Sequence, residues 1–338
     1  MKKITLVLLF LATLSAKSQD LDLLLLANDD ASLLMKNYMT PVMDGMLYSL
    51  NNGWYHTAKT HKKLGFDITI NVNAAMVPNS AKTFQFNESD YDFLSIVGGN
   101  NKIETVMGGS NSDKISVEIP TEAGDFKIAE FTMPDGIGKD VPLNAVPSPM
   151  IQASVGIPFD TDISIRFLPK INTDDVDGNL IGFGIKHNLM QYFGPLDRLP
   201  LNIAIFGGFT SMNTTYTIDK TNNQEVAFKL NAFTIQTIAS LDFPLVTIYG
   251  AIGYDKGTST LKLKGTYSLS YDIEDTSGNV IKTITENSDP DPINMDFDAN
   301  GARGTLGLRF NLGFFKLYGD YTIKEYNTVS AGMAFSFR

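Results

Sequence analysis

The last dozen residues alternate apolar with small or polar side chains and stop on an aromatic and one charge: Asn327-Thr328-Val329-Ser330-Ala331-Gly332-Met333-Ala334-Phe335-Ser336-Phe337-Arg338. Successive side chains of a strand point to opposite faces. Val329, Ala331, Met333, Phe335 and Phe337 therefore share one face, with Thr328, Ser330, Gly332, Ala334 and Ser336 on the other. One face suits lipid and the other a lumen, the pattern of the closing strand of a transmembrane β-barrel. The last strand of a soluble sandwich has the same period, so the rest of the chain has to separate the two.

Length of alternation separates them. Leu261, Leu263, Gly265, Tyr267, Leu269, Tyr271 and Ile273 alternate with polar residues over 13 positions. Soluble strands average about five or six residues, whereas a tilted membrane strand needs about 9 to 11. Phe66 to Met76, Leu201 to Thr210 and Thr305 to Leu312 alternate in the same way. The fold class is therefore all-β: an antiparallel transmembrane barrel, with turn signals that divide it into about fourteen strands. The closing strand should meet the one that begins near Leu64. Residues 78–147 and 274–300, rich in Gly, Asn, Asp and Pro, read as long loops.

The amino-terminal end fixes the compartment. Lys2 and Lys3 precede an apolar run from Ile4 to Leu14, and Ala16-Lys17-Ser18 offers a cleavage site. Residues 1–18 read as a secretory signal peptide. No stretch reaches the roughly 18 to 20 apolar residues of a spanning helix. The absence of cysteine excludes a lipid anchor and disulfides. Cleavage removes three lysines and no acids, so the charge goes from −10 to −13, which excludes nucleic acid as a partner. The partners expected of such a chain are outer-membrane lipid and lipopolysaccharide, and the barrel assembly machinery.

Residues 19–63 precede the barrel (64–338) as a helical plug. Their apolar residues recur at spacings of three and four, and Met35, Met39, Met43 and Met46 form a stripe. With Trp54 they are candidates to line a pocket for a small hydrophobic molecule; packing is the other reading. By alternation Asp67, Arg166, Lys229, Lys262, Lys264, Arg309, Lys316 and Asp320 point away from the apolar face, hence into a lumen. Asp296, Asp298 and Asn300, followed by Gly301, match the first half of a calcium loop. The second half fails, because Gly307 stands where a bidentate Glu belongs, and the competing reading is an acidic solvated loop. No other cofactor is indicated. Three histidines and no Gly-x-Ser-x-Gly elbow give no enzymatic motif.

Asn51-Asn52-Gly53-Trp54-Tyr55, Ala58 to Asp67, Phe167 to Ile171, Gly182-Phe183-Gly184-Ile185-Lys186-His187 and Leu199-Pro200 together resemble an uncharacterised outer-membrane barrel family common in Bacteroidota. The helical segment, Gly-Trp junction and strands also resemble the long-chain fatty-acid (FadL and toluene-type) transport barrels. That second likeness implies a lumen plug and transport of hydrophobic molecules. The alternative is a non-transporting structural or accessory barrel of an envelope assembly.

Overall fold

The computed structural model describes residues 24–337 except 28, 122–123, 173–174, 195–199, 275–279 and 289. The signal-peptide reading thus lies outside the described residues. A helix, α1 (Asp29–Leu50), is followed by an irregular thread, residues 51–65, and then by strand β1 (Phe66–Met76). Next come five short strands: β2 (Thr83–Gln85), β3 (Leu94–Val97), β4 (Lys102–Glu104), β5 (Lys114–Thr121) and β6 (Gly124–Thr132). The chain continues through β7 (Ala145–Ile157), β8 (Thr161–Asn172), β9 (Val176–Asn188), β10 (Leu201–Asp219), β11 (Gln224–Asp242) and β12 (Val246–Lys264). A hairpin of β13 (Ser268–Glu274) and β14 (Val280–Asn287) precedes β15 (Ile293–Leu312), β16 (Phe315–Ile323) and β17 (Thr328–Phe337).

Ten of these strands close an antiparallel barrel in the order β1-β17-β16-β15-β12-β11-β10-β9-β8-β7. The closing pair is β1 with β17, Phe66 opposite Phe337, as the terminal alternation requires. The expected fourteen strands shrink to ten because β2 to β6, β13 and β14 form small separate sheets on the loop side. They alternate because each half-buries itself in a cap. Conversely, residues 293–300, expected as loop, belong to the wall strand β15.

Polarity along the wall fixes where lipid lies. On β12 the outward residues from Val246 to Tyr254 are Val246, Ile248, Gly250, Ile252 and Tyr254, and β10, β11 and β15 carry similar bands at Leu201–Phe209, Phe233–Leu241 and Leu306–Leu312. Nine residues at about 3.3 Å each, tilted by about 40°, rise roughly 20 to 25 Å, the height of an outer-membrane apolar band. Inward positions at this level include the buried polar residues Asp67, Thr69, Asn71, Gln152, Arg166, Thr234 and Arg309, beside a small apolar cluster of Ala204, Phe206, Ile238, Tyr249 and Ala251. A closed antiparallel wall with such a band is an outer-membrane structure.

Above the band the polarity inverts. β10, β11, β12 and β15 run on for 19 or 20 residues. Their inward positions, such as Leu230, Leu261, Met295 and Phe297, become apolar and pack on α1. Their outward positions turn polar. This is why Lys229 and Lys262, expected in the lumen, are exposed on the outside. Lys264 also lies there, paired with Glu225 at 2.8 Å. The apolar face that set their orientation is the cap core, not the lipid face.

Short turns sit at one end, at 158–160, 243–245 and 313–314, with the two longest insertions, 77–144 and 265–292, at the other. Short turns mark the periplasm and long loops the cell surface. From α1 on the surface side the chain therefore descends through the lumen as the thread and turns at Leu64-Gly65 into β1. Because the protein has no cysteine, single substitutions can map this route. Lys36→Cys on α1 and Lys220→Cys in the β10–β11 turn should react with a membrane-impermeant maleimide on intact cells. Lys63→Cys should react only after the outer membrane is permeabilised; the reverse pattern would invert the topology.

Candidate functional site

A helix leaves its last four carbonyls without intrahelical donors, and cations near that end are favourable. α1 has no basic residue in its last turn. The wall supplies them instead: Lys324 Nζ donates to Tyr48 O at 2.8 Å and Arg166 Nη1 to Leu50 O at 2.9 Å. The same recognition continues down the thread. Arg303 donates to Asn51 O at 2.9 Å, Arg166 Nη2 to Asn52 O at 2.6 Å, Asn71 to Gly53 O at 2.9 Å and Gln152 to Trp54 O at 3.0 Å. Lys186 Nζ donates to Thr57 O and Lys59 O at 3.3 and 2.9 Å, and Asn188 to Ala58 O at 3.4 Å. An extended chain inside a barrel has no ladder partner, so its buried carbonyls need side-chain donors.

Trp54 is the thread's bulkiest buried side chain, 3 % exposed. Its ring lies in a slot made by three inward glycines, Gly182 and Gly184 on β9 and Gly208 on β10; Gly184 and Gly208 pair directly. A Cβ at any of them would stand 2.9 to 3.1 Å from the indole. The guanidinium of Arg166 covers the ring, its Cζ 3.6 Å from the centroid, and Phe206 packs at 5.4 Å. Arg166 is fully buried and satisfied by Gln152, the last carbonyl of α1 and one thread carbonyl rather than by a carboxylate. Gly53 precedes the slot at φ +69°, and a Cβ there would fall 2.6 Å from Asn73 Oδ1, so only glycine makes this bend.

Charged clusters flank the slot. On the surface side Asp255 bridges Arg303 at 3.2 Å and Lys324 at 2.8 Å, while Arg303 also donates to Asn52 Oδ1 at 2.6 Å. On the periplasmic side Arg309 donates to His56 Nδ1 at 2.9 Å, which leaves Nε2–H to face Asp67 at 3.3 Å. His61 sits between Asp162 at 3.1 Å and Asp67 at 3.4 Å, and Lys186 reaches Asp162 at 3.1 Å. Arg309 completes this end by contacting Asp242 at 3.3 Å.

Of the residues expected in the lumen, Asp67, Arg166 and Arg309 meet the thread, and Asp320 accepts from Tyr249 at 2.9 Å. Lys316 instead folds back on Gly313 O at the periplasmic rim. Met35, Met39 and Met43 are buried in the cap core and Met46 packs against it. A cleft of about 430 Å³ opens among the surface turns near Lys220, Glu225 and Lys264, away from the methionines and Trp54. Asp296, Asp298 and Asn300 are successive outward positions on β15, not a loop. Standing about 7 Å apart, they cannot converge on an ion that needs oxygens at about 2.4 Å. Thr260 donates to Asp296 and Tyr254 to Asn300. Arg303, Lys324, Asp255, Asp162, Lys186 and Gln152 escaped the sequence reading. Their inward parity on β7, β8, β9, β12 and β15, continued one residue past β16 to Lys324, is the available signal.

Over residues 1–337 the chain matches the profile of a family of unknown function, DUF6588. It belongs to that family. No curated protein matches it. Solved structures that it resembles include the attachment invasion locus protein Ail of Yersinia pestis (7 % identity, 82 % of this chain, 100 % of that one, TM-score 0.26). Others are the outer membrane protease OmpT of Escherichia coli (9 %, 83 % and 100 %, 0.31) and the translocator domain of the autotransporter NalP of Neisseria meningitidis (10 %, 82 % and 90 %, 0.29). Neither a Bacteroidota origin nor a fatty-acid transporter likeness follows from these matches.

Two outcomes follow for stability. Trp54→Ala should cost about 3 to 5 kcal/mol, the range for emptying an aromatic site, read as a lower temperature at which the folded band disappears on heated gels. Asp44, on α1 above the membrane, has its carboxyl pushed up to about 7 by burial, and then by Glu325 and Asp298. A raised carboxyl costs nothing below its ordinary value near 3.8, and its penalty grows as pH climbs toward 7. Asp44→Asn should therefore raise the unfolding temperature at pH 8 and leave it unchanged below pH 4.

Proposed function

We propose that this protein is a sealed outer-membrane barrel with a structural or interaction role, presenting a rigid cap of helix and short strands at the cell surface. The observation that carries this reading is the occupancy of the wall donors. Lys324, Arg166, Arg303, Asn71, Gln152, Lys186 and Asn188 are all spent on carbonyls of the chain's own residues 48–59. Releasing the thread would leave Arg166 buried with no carboxylate partner, and hydrogen bonds to charged groups are worth about 1.5 to 3 kcal/mol each.

The FadL-like alternative, passage of a small hydrophobic molecule, needs an apolar path. The membrane-level lumen carries the buried polar residues Asp67, Gln152, Arg166 and Arg309, its apolar cluster of Ala204, Phe206, Ile238, Tyr249 and Ala251 is packed on Trp54, Tyr55 and Ala58 of the thread, and the methionines lie in or against the cap core. Lipid and lipopolysaccharide around the band, and a protein partner on the cap, are the contacts this role implies. Two measurements separate the readings. Purified from mild detergent, the protein should bring a partner in stoichiometric amount and show no saturable binding of a long-chain fatty acid by calorimetry. A lone barrel that binds the acyl chain with micromolar affinity would reverse the conclusion.

A further inference from the structure

The outer wall ends differently at its two edges. Toward the cell surface the apolar band gives way to exposed polar residues, Asn300 on β15 and Lys256 on β12. Toward the periplasm no polar position intervenes: on β1 the outward series Val72, Ile70, Ile68 and Phe66 runs on into Leu64 of the turn. Leu64 is 67 % exposed, and Phe159, at the tip of the β7–β8 turn, is 80 % exposed. Leu245 and Phe314 are exposed at the other two short turns. Leu64 and Phe159 both hold positive φ, +63° and +66°, a conformation that is costly for a bulky residue and that turns in water give to Gly or Asn. Phe337 stacks on Phe66 at 5.2 Å and on Phe314 at 6.2 Å, an aromatic girdle at the same edge. Apolar tips and a girdle place this rim in the bilayer interface rather than in water.

Onto the rim the thread delivers a run of bases. Lys186 Nζ donates to Lys59 O at 2.9 Å, His61 N to Asp162 Oδ1 at 2.9 Å and Leu64 N to Gly156 O at 2.9 Å, which fixes residues 59–64 along the ends of β9, β8 and β7. Lys59, Lys62 and Lys63 are exposed, and among the described residues none of their ammonium groups meets a carboxylate. Asp67 and Asp162 are engaged with His56, His61 and Lys186, which leaves Asp160 as the exposed acid of the β7–β8 turn. Three free bases thus face one acid in a chain whose formal charge is −10.

We propose that this rim, Lys59, Lys62 and Lys63 beside Leu64 and Phe159, binds the phosphate of an anionic phospholipid in the periplasmic leaflet. The apolar tips enter the acyl boundary, and lysines at the edge of such a surface reach out to place their ammonium groups at the level of the phosphates. A zwitterionic headgroup carries its own ammonium and gains less from them. The site is independent of whether the lumen is sealed.

The test offers the full protein, folded in a neutral detergent, an equimolar mixture of phosphatidylglycerol and phosphatidylethanolamine, and counts retained lipid by native mass spectrometry. Each lysine near an anionic surface is worth roughly fivefold, so the unaltered protein should favour phosphatidylglycerol by about tenfold or more. Lys59→Gln, Lys62→Gln and Lys63→Gln together should retain the two lipids equally. The same exchange at Lys229, Lys256 and Lys262, exposed on the surface side, should leave the preference intact. In vesicles of the same two lipids, a solvent-sensitive dye on Phe159→Cys should emit as in an apolar medium and be quenched by lipids brominated on the acyl chain. Equal retention by the unaltered protein, a preference that survives the exchange at the rim or is lost with the exchange at the surface, or a dye that emits as in water would each overturn the proposal.

Discussion

The barrel depends on one exchange: buried cations on the wall donate to main-chain carbonyls of a chain that has no strand partner. Arg166 shows the logic most simply. Fully buried and without a carboxylate, it is stable only because Gln152, Leu50 O, Asn52 O and the face of Trp54 surround it. The thread in turn is stable only because such donors reach it. Neither half of the lumen is satisfied alone, so wall and thread fold as one unit. Eight strands would leave space for side chains alone; ten admit one extended chain between them. α1 therefore unwinds at Asn51, where the side chains of the wall converge, and stays helical above, where the cap is wider and apolar.

The same reasoning explains the inversion along β10, β11, β12 and β15. A strand's alternation reports which face is apolar and not what that face touches. Below Tyr254 the outward apolar residues meet lipid, and the inward face, polar apart from a cluster around Phe206 and Tyr249, meets the thread. Above it the apolar residues meet α1 and the polar ones meet water. A single strand thus serves two solvents.

This is also where the sequence stopped being legible. The β1–β17 closure, the lipid-facing parity of Phe66 to Val72 and of Leu306 to Leu312, and the lumen positions of Asp67, Arg166 and Arg309 could be read because those segments stay within one environment. Alternation alone puts Lys229, Lys262 and Lys264 in the lumen, and the structure puts them outside, because the phase of the pattern changes meaning partway up the strand. Short cap strands such as β5 share the period of wall strands, which inflated the count. Asp296-Phe297-Asp298 looked like a cation loop because composition does not distinguish an acidic turn from an acidic outer edge. The contact of Trp54 with Gly182, Gly184 and Gly208 joins segments over a hundred residues apart, which no local pattern reveals. Gly53-Trp54 and Gly182 to His187 were nonetheless among the segments that carried the family likeness. They meet across the lumen.

The central claim is that the seated thread seals the barrel, and electrical conductance across a planar bilayer measures this most directly. The full protein should insert without opening a steady conductance, while replacing Arg166 and Arg303 together by methionine should open ion-conducting events through the polar lumen. A steady open pore in the unaltered protein would contradict the account.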